Sequence, residues 1–330
     1  MKTEIIKKCH RFAVCNNTIY TINSEKYFLI NNKLINKGCF SISGFFDNNI
    51  VLFEENKFES SIYSKKGELI KHIEDFAIIV RERISPTVFF VGINDGNTIY
   101  YAKFCVVEFK VLEKFSSIRR VGTVFKNDTF ISNDTEKIGC LDFENKEVWY
   151  HTFSSLLGEE VAGISNEIIE ISGIIYFILF GKETKKCFGL DANTGKVVKN
   201  YPDLVGQLVV EDEYIYFLHT EIISVLNTKT DEITTWFIDD LMKEKGIDSL
   251  LFPRWAVRDG LIYFSQSKGA DRYSDNVGAR FGVLDPIKKE MLWHHQLPLE
   301  NGIIGEIKVN QNRIYLHTQD QTLFVFEKEE

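Results

Sequence analysis

The sequence predicts an all-β chain folded as a β-propeller of four-stranded antiparallel blades. Eight blades are expected, with seven as the alternative if the short first unit merges with the last. Three observations carry this: a strand-forming composition, one unit that recurs along the chain, and a second register of turns inside that unit. The 330 residues are 44% hydrophobic and 26% charged, a globular balance with ample material for a core and no bias toward disorder. Phe (27) and Tyr (13) are abundant and Met (3) is scarce. Short Ile/Val/Tyr/Phe clusters therefore favour strands over helices.

The recurring unit begins with a strand seen as Thr18-Ile19-Tyr20, Ile50-Val51-Leu52-Phe53, Val88-Phe89-Phe90-Val91 and Thr129-Phe130-Ile131. It returns as Ile174-Ile175-Tyr176-Phe177, Tyr214-Ile215-Tyr216-Phe217, Leu261-Ile262-Tyr263-Phe264 and Arg313-Ile314-Tyr315-Leu316. Anchored at Tyr20, Leu52, Phe90, Phe130, Tyr176, Tyr216, Tyr263 and Tyr315, the copies are spaced by 32, 38, 40, 46, 40, 47 and 52 residues. A four-stranded blade takes about 40–45 residues.

The next strand and its turn give the second register: Cys140-Leu141-Asp142 with Trp149, Gly189-Leu190-Asp191 with Thr194-Gly195-Lys196, Val225-Leu226-Asn227 with Trp236, and Val283-Leu284-Asp285 with Trp293. The Asp or Asn is expected to open a tight turn by accepting backbone amides ahead of it. The Trp is expected to fill space between neighbouring sheets.

Here the chain resembles the quinoprotein-like (PQQ-like) β-propeller repeat family, whose blades carry a motif of the type Ala-x-Asp-x-x-Thr-Gly-Lys-x-x-Trp. The best match is Leu190-Asp191-Ala192-Asn193-Thr194-Gly195-Lys196; the other copies are degenerate and the first three units lack it. The resemblance implies a fold. It does not imply one function, since such propellers serve as enzymes, assembly scaffolds and binding proteins.

The whole chain, 1–330, reads as a single propeller domain. Its last strand pair, ending at Leu323-Phe324-Val325-Phe326, stops before a fourth strand, while Glu4-Ile5-Ile6-Lys7-Lys8 stands unpaired at the start. The N-terminal strand is expected to complete the last blade and close the ring, which leaves only short, protected sheet edges. No apolar segment follows Lys2, Lys7 and Lys8, and the longest clean apolar run, Ile174 to Phe180, is far short of a membrane span. Six cysteines at 9, 15, 39, 105, 140 and 187 form no CxxC pair and read as reduced, mostly buried thiols. A cytoplasmic location without membrane association is expected.

In a blade that meanders outward, the loop between strands two and three shares a face with the connection to the next blade. The long connections Phe153 to Glu160, Phe237 to Trp255, Gln266 to Ala279 and Leu297 to Gly305 then lie on one face, in the second half of the ring. Asp239 to Gly246 reads as one or two helical turns with acidic residues at its start and glycine at its end. Within these loops Arg254, Trp255, Arg272, Tyr273, Asp275, Arg280, Asp239 and Asp240 are the candidate protein-binding residues; Trp, Tyr and Arg dominate interface hot spots. A structural role is the competing expectation: Trp255 packing between blades, and the arginines pairing with Asp271, Asp275 or Asp259.

From His151 to Leu250 there are 17 acidic residues against 8 lysines and no arginine, in a chain of net charge -8. The clusters are Glu211-Asp212-Glu213, Asp231-Glu232 and Asp239-Asp240. Such a sector disfavours nucleic acid and would steer a basic protein partner. His219 and His317 occupy equivalent repeat positions, and His294-His295 on a strand point to opposite faces. No metal site, cofactor or catalytic residue is assigned, because HExxH, GxSxG, Walker A and GxGxxG are absent. The function expected is a non-catalytic protein-binding propeller, an immunity or adaptor protein for a basic partner in its specific form. The alternative is an enzyme or small-ligand binder using the central channel. A quinoprotein enzyme is disfavoured, since the resemblance implies export and adjacent cysteines beside the cofactor.

Overall fold

The computed structural model describes residues 2–54, 56–115, 124–125, 129–165, 167–247, 250, 253–266 and 278–327; of Val124 and Phe125 only the backbone is described. Strands dominate, and they form eight antiparallel sheets. Blade 7 shows the pattern: Trp255–Arg258, Leu261–Gln266, Arg280–Asp285 and Glu290–Gln296, each hydrogen-bonded to the next. Blade 5 differs in that two short segments, Val161–Ile164 and Ile169–Ile171, both pair with Ile174–Gly181. First strands of neighbouring blades contact one another, as Phe40–Phe46 does with Ala77–Ser85 and Trp255–Arg258 with Ile304–Asn310. They are the innermost strands.

Burial follows position in the blade. The second strand of blade 5 is buried along most of its length because both its faces meet neighbouring blades. In the fourth strand of blade 6, Ile233–Phe237, only Trp236 is buried. The core is accordingly a set of eight layers, one in each gap between blades. Ile215, Phe217 and Leu226 of blade 6 meet Tyr176, Ile178 and Cys187 of blade 5 in one of them. In another, Phe90 and Phe115 of blade 3 meet Phe130 and Phe143 of blade 4.

The ring closes as expected. Lys2–Ile6 pairs antiparallel with Leu323–Glu327, with Thr3 opposite Phe326 and Ile5 opposite Phe324. Blade 8 is joined to blade 1 by the Cys9 amide donating to Gln321 O at 2.7 Å and by His317 Nε2, 2.6 Å from Cys9 O.

The turn register is also present. Asp142, Asp191, Asn227 and Asp285 each accept two backbone amides through one side-chain oxygen at 2.8–3.2 Å. Trp149 packs on Gly195 of the next blade and donates Nε1 to Ala192 O at 3.2 Å. Trp236 lies in the layer between blades 6 and 7, and Trp293 stacks edge-on against Phe281 with centroids 5.4 Å apart. All six cysteines are free, and Cys9, Cys105, Cys140 and Cys187 are buried. No helix among the described residues is long and apolar enough to cross a membrane.

Candidate functional site: the loop-bearing face of blades 6 to 8

Turn parity in the observed meander puts the connections Phe153 to Glu160, Phe237 to Trp255 and Leu297 to Gly305 on one face, together with the strand ends at Gln266 and Arg280; residues 267–277 between those ends lie outside the described residues. The first of them is compact. Helix α1, Phe153–Leu157, starts with Thr152 Oγ1 accepting the Ser155 amide and ends at Gly158 with φ +84°, while Phe153 and Leu157 are buried. Glu159 accepts the amide and hydroxyl of Thr184 at 2.9 and 2.5 Å. That connection belongs to blades 4 and 5. The other two adjoin blade 7.

The connection from blade 6 to blade 7 is held from beneath. Ile238, Met242, Ile247 and Leu250 are buried in the same layer as Trp236, Trp255 and Phe264. Helix α2, Asp239–Glu244, places Asp239 and Asp240 in its first turn, where the exposed amides favour negative charge. Asp239 also pairs with Lys243 at 2.5 Å. Gly246 just beyond the helix has φ +69°.

The two described arginines of the candidate set join the loops together. Arg280 Nη1 donates to Gly246 O, with Lys245 O at 3.5 Å, and so satisfies carbonyls at the end of the α2 segment. Arg254 donates its amide to Ser265 Oγ at 3.0 Å and its Nε to Gly305 O at 2.9 Å, across to the start of the first strand of blade 8. Their side-chain bonds run to backbone carbonyls rather than to aspartates, and the guanidinium nearest Asp259 is that of Arg258, at 3.4 Å. Arg272, Tyr273 and Asp275 lie outside the described residues, as does Asp271.

Trp255 requires a correction. It opens the first strand of blade 7 and is 7% exposed, packed against Phe264 with centroids 6.5 Å apart. A ring enclosed between two blades cannot anchor a partner.

Two residues outside the candidate set occupy the surface that Trp255 does not. Phe237, at the loop end of its strand, is 75% exposed, and Leu299, in the short turn Leu299–Asn301, is 44% exposed. Strand alternation could have found Phe237, since a Trp236 that faces blade 7 turns its neighbour to the other face of the blade 6 sheet, at its outer edge. Asp240 and Glu300 are exposed in the same two connections. Each connection thus carries an exposed apolar and an exposed acidic side chain, on loops fixed by buried side chains and by two arginines.

The acidic clusters do not all share this face. Glu211-Asp212-Glu213 turns from the first to the second strand of blade 6, and Asp231-Glu232 from the third to the fourth. Both emerge opposite the long connections, leaving Asp239-Asp240 on the loop-bearing face. Asp231 ties blade 6 to blade 5 through Lys199 and through Tyr201 Oη at 2.6 Å, and these two partners hold its carboxyl below the usual carboxylate range.

The histidines are dispersed. His295 packs on Phe281 and Phe326, whereas burial and the nearby Arg280 and Lys245 charges depress the His294 pKa, so the pair does point to opposite sides. His219 Nδ1 is buried without a partner, unlike its counterpart His317. Among the described residues no group of three or more His, Cys, Asp or Glu is placed to hold a metal ion.

The strands together define an eight-bladed β-propeller. No family model matches the chain, and no curated protein matches it. Among solved structures it is similar to BamB from Moraxella catarrhalis, at 10% identity and a TM-score of 0.55, with 99% of each chain covered. It is similar as well to the C-terminal WD40 domain of Sif2, at 13% identity and a TM-score of 0.55, covering 95% of this chain and 90% of that one. At these identities the likeness is one of fold.

Proposed function

We propose that this chain is a non-catalytic propeller that binds another protein through the loop-bearing face of blades 6 to 8. An immunity or adaptor role toward a basic partner in the cytoplasm is its specific form. The observation that carries the reading is the exposure of Phe237, Asp240 and Leu299 on connections whose own residues are pinned to the core. Exposed apolar side chains on a pre-organised, acid-rimmed surface suit a protein partner with a basic rim. Six free thiols are consistent with a reducing compartment. The test is affinity capture from the native host, comparing wild type with a Phe237→Ala, Leu299→Ala, Asp240→Asn variant. All three side chains are exposed, so the variant is expected to fold. A stoichiometric partner held by wild type and lost by the variant supports the reading; equal capture by both contradicts the face.

A further inference from the structure

On the face opposite the long connections, a cleft of about 630 Å³ opens between blades 6 and 7. Its walls combine turn residues, among them Glu211 with Asp212, Glu232, and Pro286 with Ile287, with strand side chains of blade 6 such as Tyr216. We propose that this cleft receives an arginine side chain of a protein partner, giving the propeller a second binding face.

Four carboxylates, those of Glu211, Asp212, Glu232 and Asp259, line the cleft together with one cation, Arg258. Two of the four are engaged by the fold. Both oxygens of Glu211 accept amides of the neighbouring blade, Asp259 N and Gly260 N, each at 2.7 Å. Asp259 has Arg258 Nε at 3.4 Å. Asp212 and Glu232 remain for a ligand, and Glu232 accepts only the Thr230 hydroxyl of its own turn, at 3.3 Å. Of the neighbouring lysines, Lys229 pairs with Glu213 and Lys199 with Asp231, while Lys289 reaches across from blade 7 to Thr235 O at 3.2 Å.

A second, independent feature points to an occupant. Tyr216 is 4% exposed, its ring packs in the layer between blades 6 and 7, and it lines the cleft. Its hydroxyl makes no hydrogen bond among the described residues. Burial, followed by the charges of Glu211, Tyr214 and Asp212, pushes its pKa up to about 12. At neutral pH it is a protonated hydroxyl with a free lone pair facing a negative field.

A guanidinium matches this set better than an ammonium. It is planar, stacks on tyrosine rings, and spreads five donors in a fixed fork. Asp212, Glu232 and the Tyr216 hydroxyl can each take one. A protein source follows from the rim, where Ile287 is 86% exposed. A chain flanking the arginine would cover this side chain; a free polyamine would not. The cleft stands on its own geometry, and the bridging of two proteins rests in addition on the reading of the loop-bearing face.

The test is a methyl NMR titration of the whole protein with the blocked peptide acetyl-Leu-Arg-Leu-amide, following the δ1 methyl of Ile287 at the cleft and that of Ile233, on the blade 5 side of the blade 6 sheet, as a reference. The citrulline analogue and spermidine are titrated in parallel. Saturable shifts at the Ile287 methyl, with Ile233 unchanged, are expected with the arginine peptide, weakened at least about tenfold by citrulline and by Asp212→Asn with Glu232→Gln. Tyr216→Phe is expected to weaken binding about threefold or more. Equal binding of the arginine and citrulline peptides to wild type overturns the proposal without reliance on any variant, as does tighter binding of spermidine. Partner capture through Phe237 and Leu299 that persists while the peptide fails removes the cleft alone; peptide binding that persists while capture is indifferent to those residues removes the loop face alone.

Discussion

Gly195 carries two constraints at once, and alanine there separates them. Its φ of +70° lies in the left-handed region, where a residue with a Cβ costs roughly 1–2 kcal/mol. A Cβ would also sit 2.6 Å from Trp149 Cδ2 and 2.7 Å from Cε3. The indole cannot retreat freely, because Nε1 is bonded to Ala192 O. Forced overpacking of this kind adds about 1–3 kcal/mol. Gly195→Ala is therefore expected to lose about 3 kcal/mol. Gly158, which ends helix α1 at φ +84°, has nothing within 4 Å of its Cβ position, so Gly158→Ala is expected to lose only about 1–2 kcal/mol. Urea unfolding followed by tryptophan fluorescence measures both. Trp149→Leu should remove the excess in a double-mutant cycle. Equal losses at the two glycines, or an excess that survives Trp149→Leu, would refute the packing of the blade 4 tryptophan on the blade 5 turn.

Three further outcomes are expected. Tyr176 is fully buried with its hydroxyl unpartnered, so Tyr176→Phe should match wild type or gain about 1 kcal/mol; a clear loss in urea unfolding would mean that the hydroxyl is bonded. Burial pushes the Cys9 and Cys187 thiols and the Tyr176 and Tyr216 hydroxyls up to about 12. The unfolded chain releases these protons near pH 9 to 10 and the folded chain keeps them. Stability should hold below that range and fall as pH rises through 9 to 12, by up to about 1.4 kcal/mol per pH unit for each titrating group; unfolding midpoints unchanged between pH 7 and 10.5 would contradict this. Glu211→Ala removes two amide bonds between blades 6 and 7 and should cost about 2 kcal/mol, visible as a lower melting temperature; an unchanged melting temperature would deny the latch.

Blade number, ring closure and turn chemistry were legible in the sequence because each is local and repeated. Eight strand pairs recur at blade spacing, an unpaired strand begins the chain, and Asp142, Asp191, Asn227 and Asp285 each stand at the same place in their turns. The shared face of the long loops followed from the parity of the meander alone. The same parity applied to Glu211-Asp212-Glu213 and Asp231-Glu232 would have set them on the other face. Counting charge along the chain joined what the sheet separates. Trp255 was ambiguous for a different reason: a residue at the first position of a strand is exposed or buried according to the phase of alternation, which pairing with Phe264 fixes only in three dimensions. The arginines were obscured by distance, since Arg254 reaches Gly305 and Arg280 reaches Gly246, partners remote in sequence.

Hydrogen exchange measured on the propeller alone and with its captured partner gives the most direct reading of which face binds. Slowed exchange is expected in 238–247 and 299–305, with the turns at Asn16-Asn17 and Pro86-Thr87 on the other face unchanged. Protection confined to that opposite face, with 238–247 and 299–305 exchanging as in the free protein, would contradict binding through the loops of blades 6 to 8.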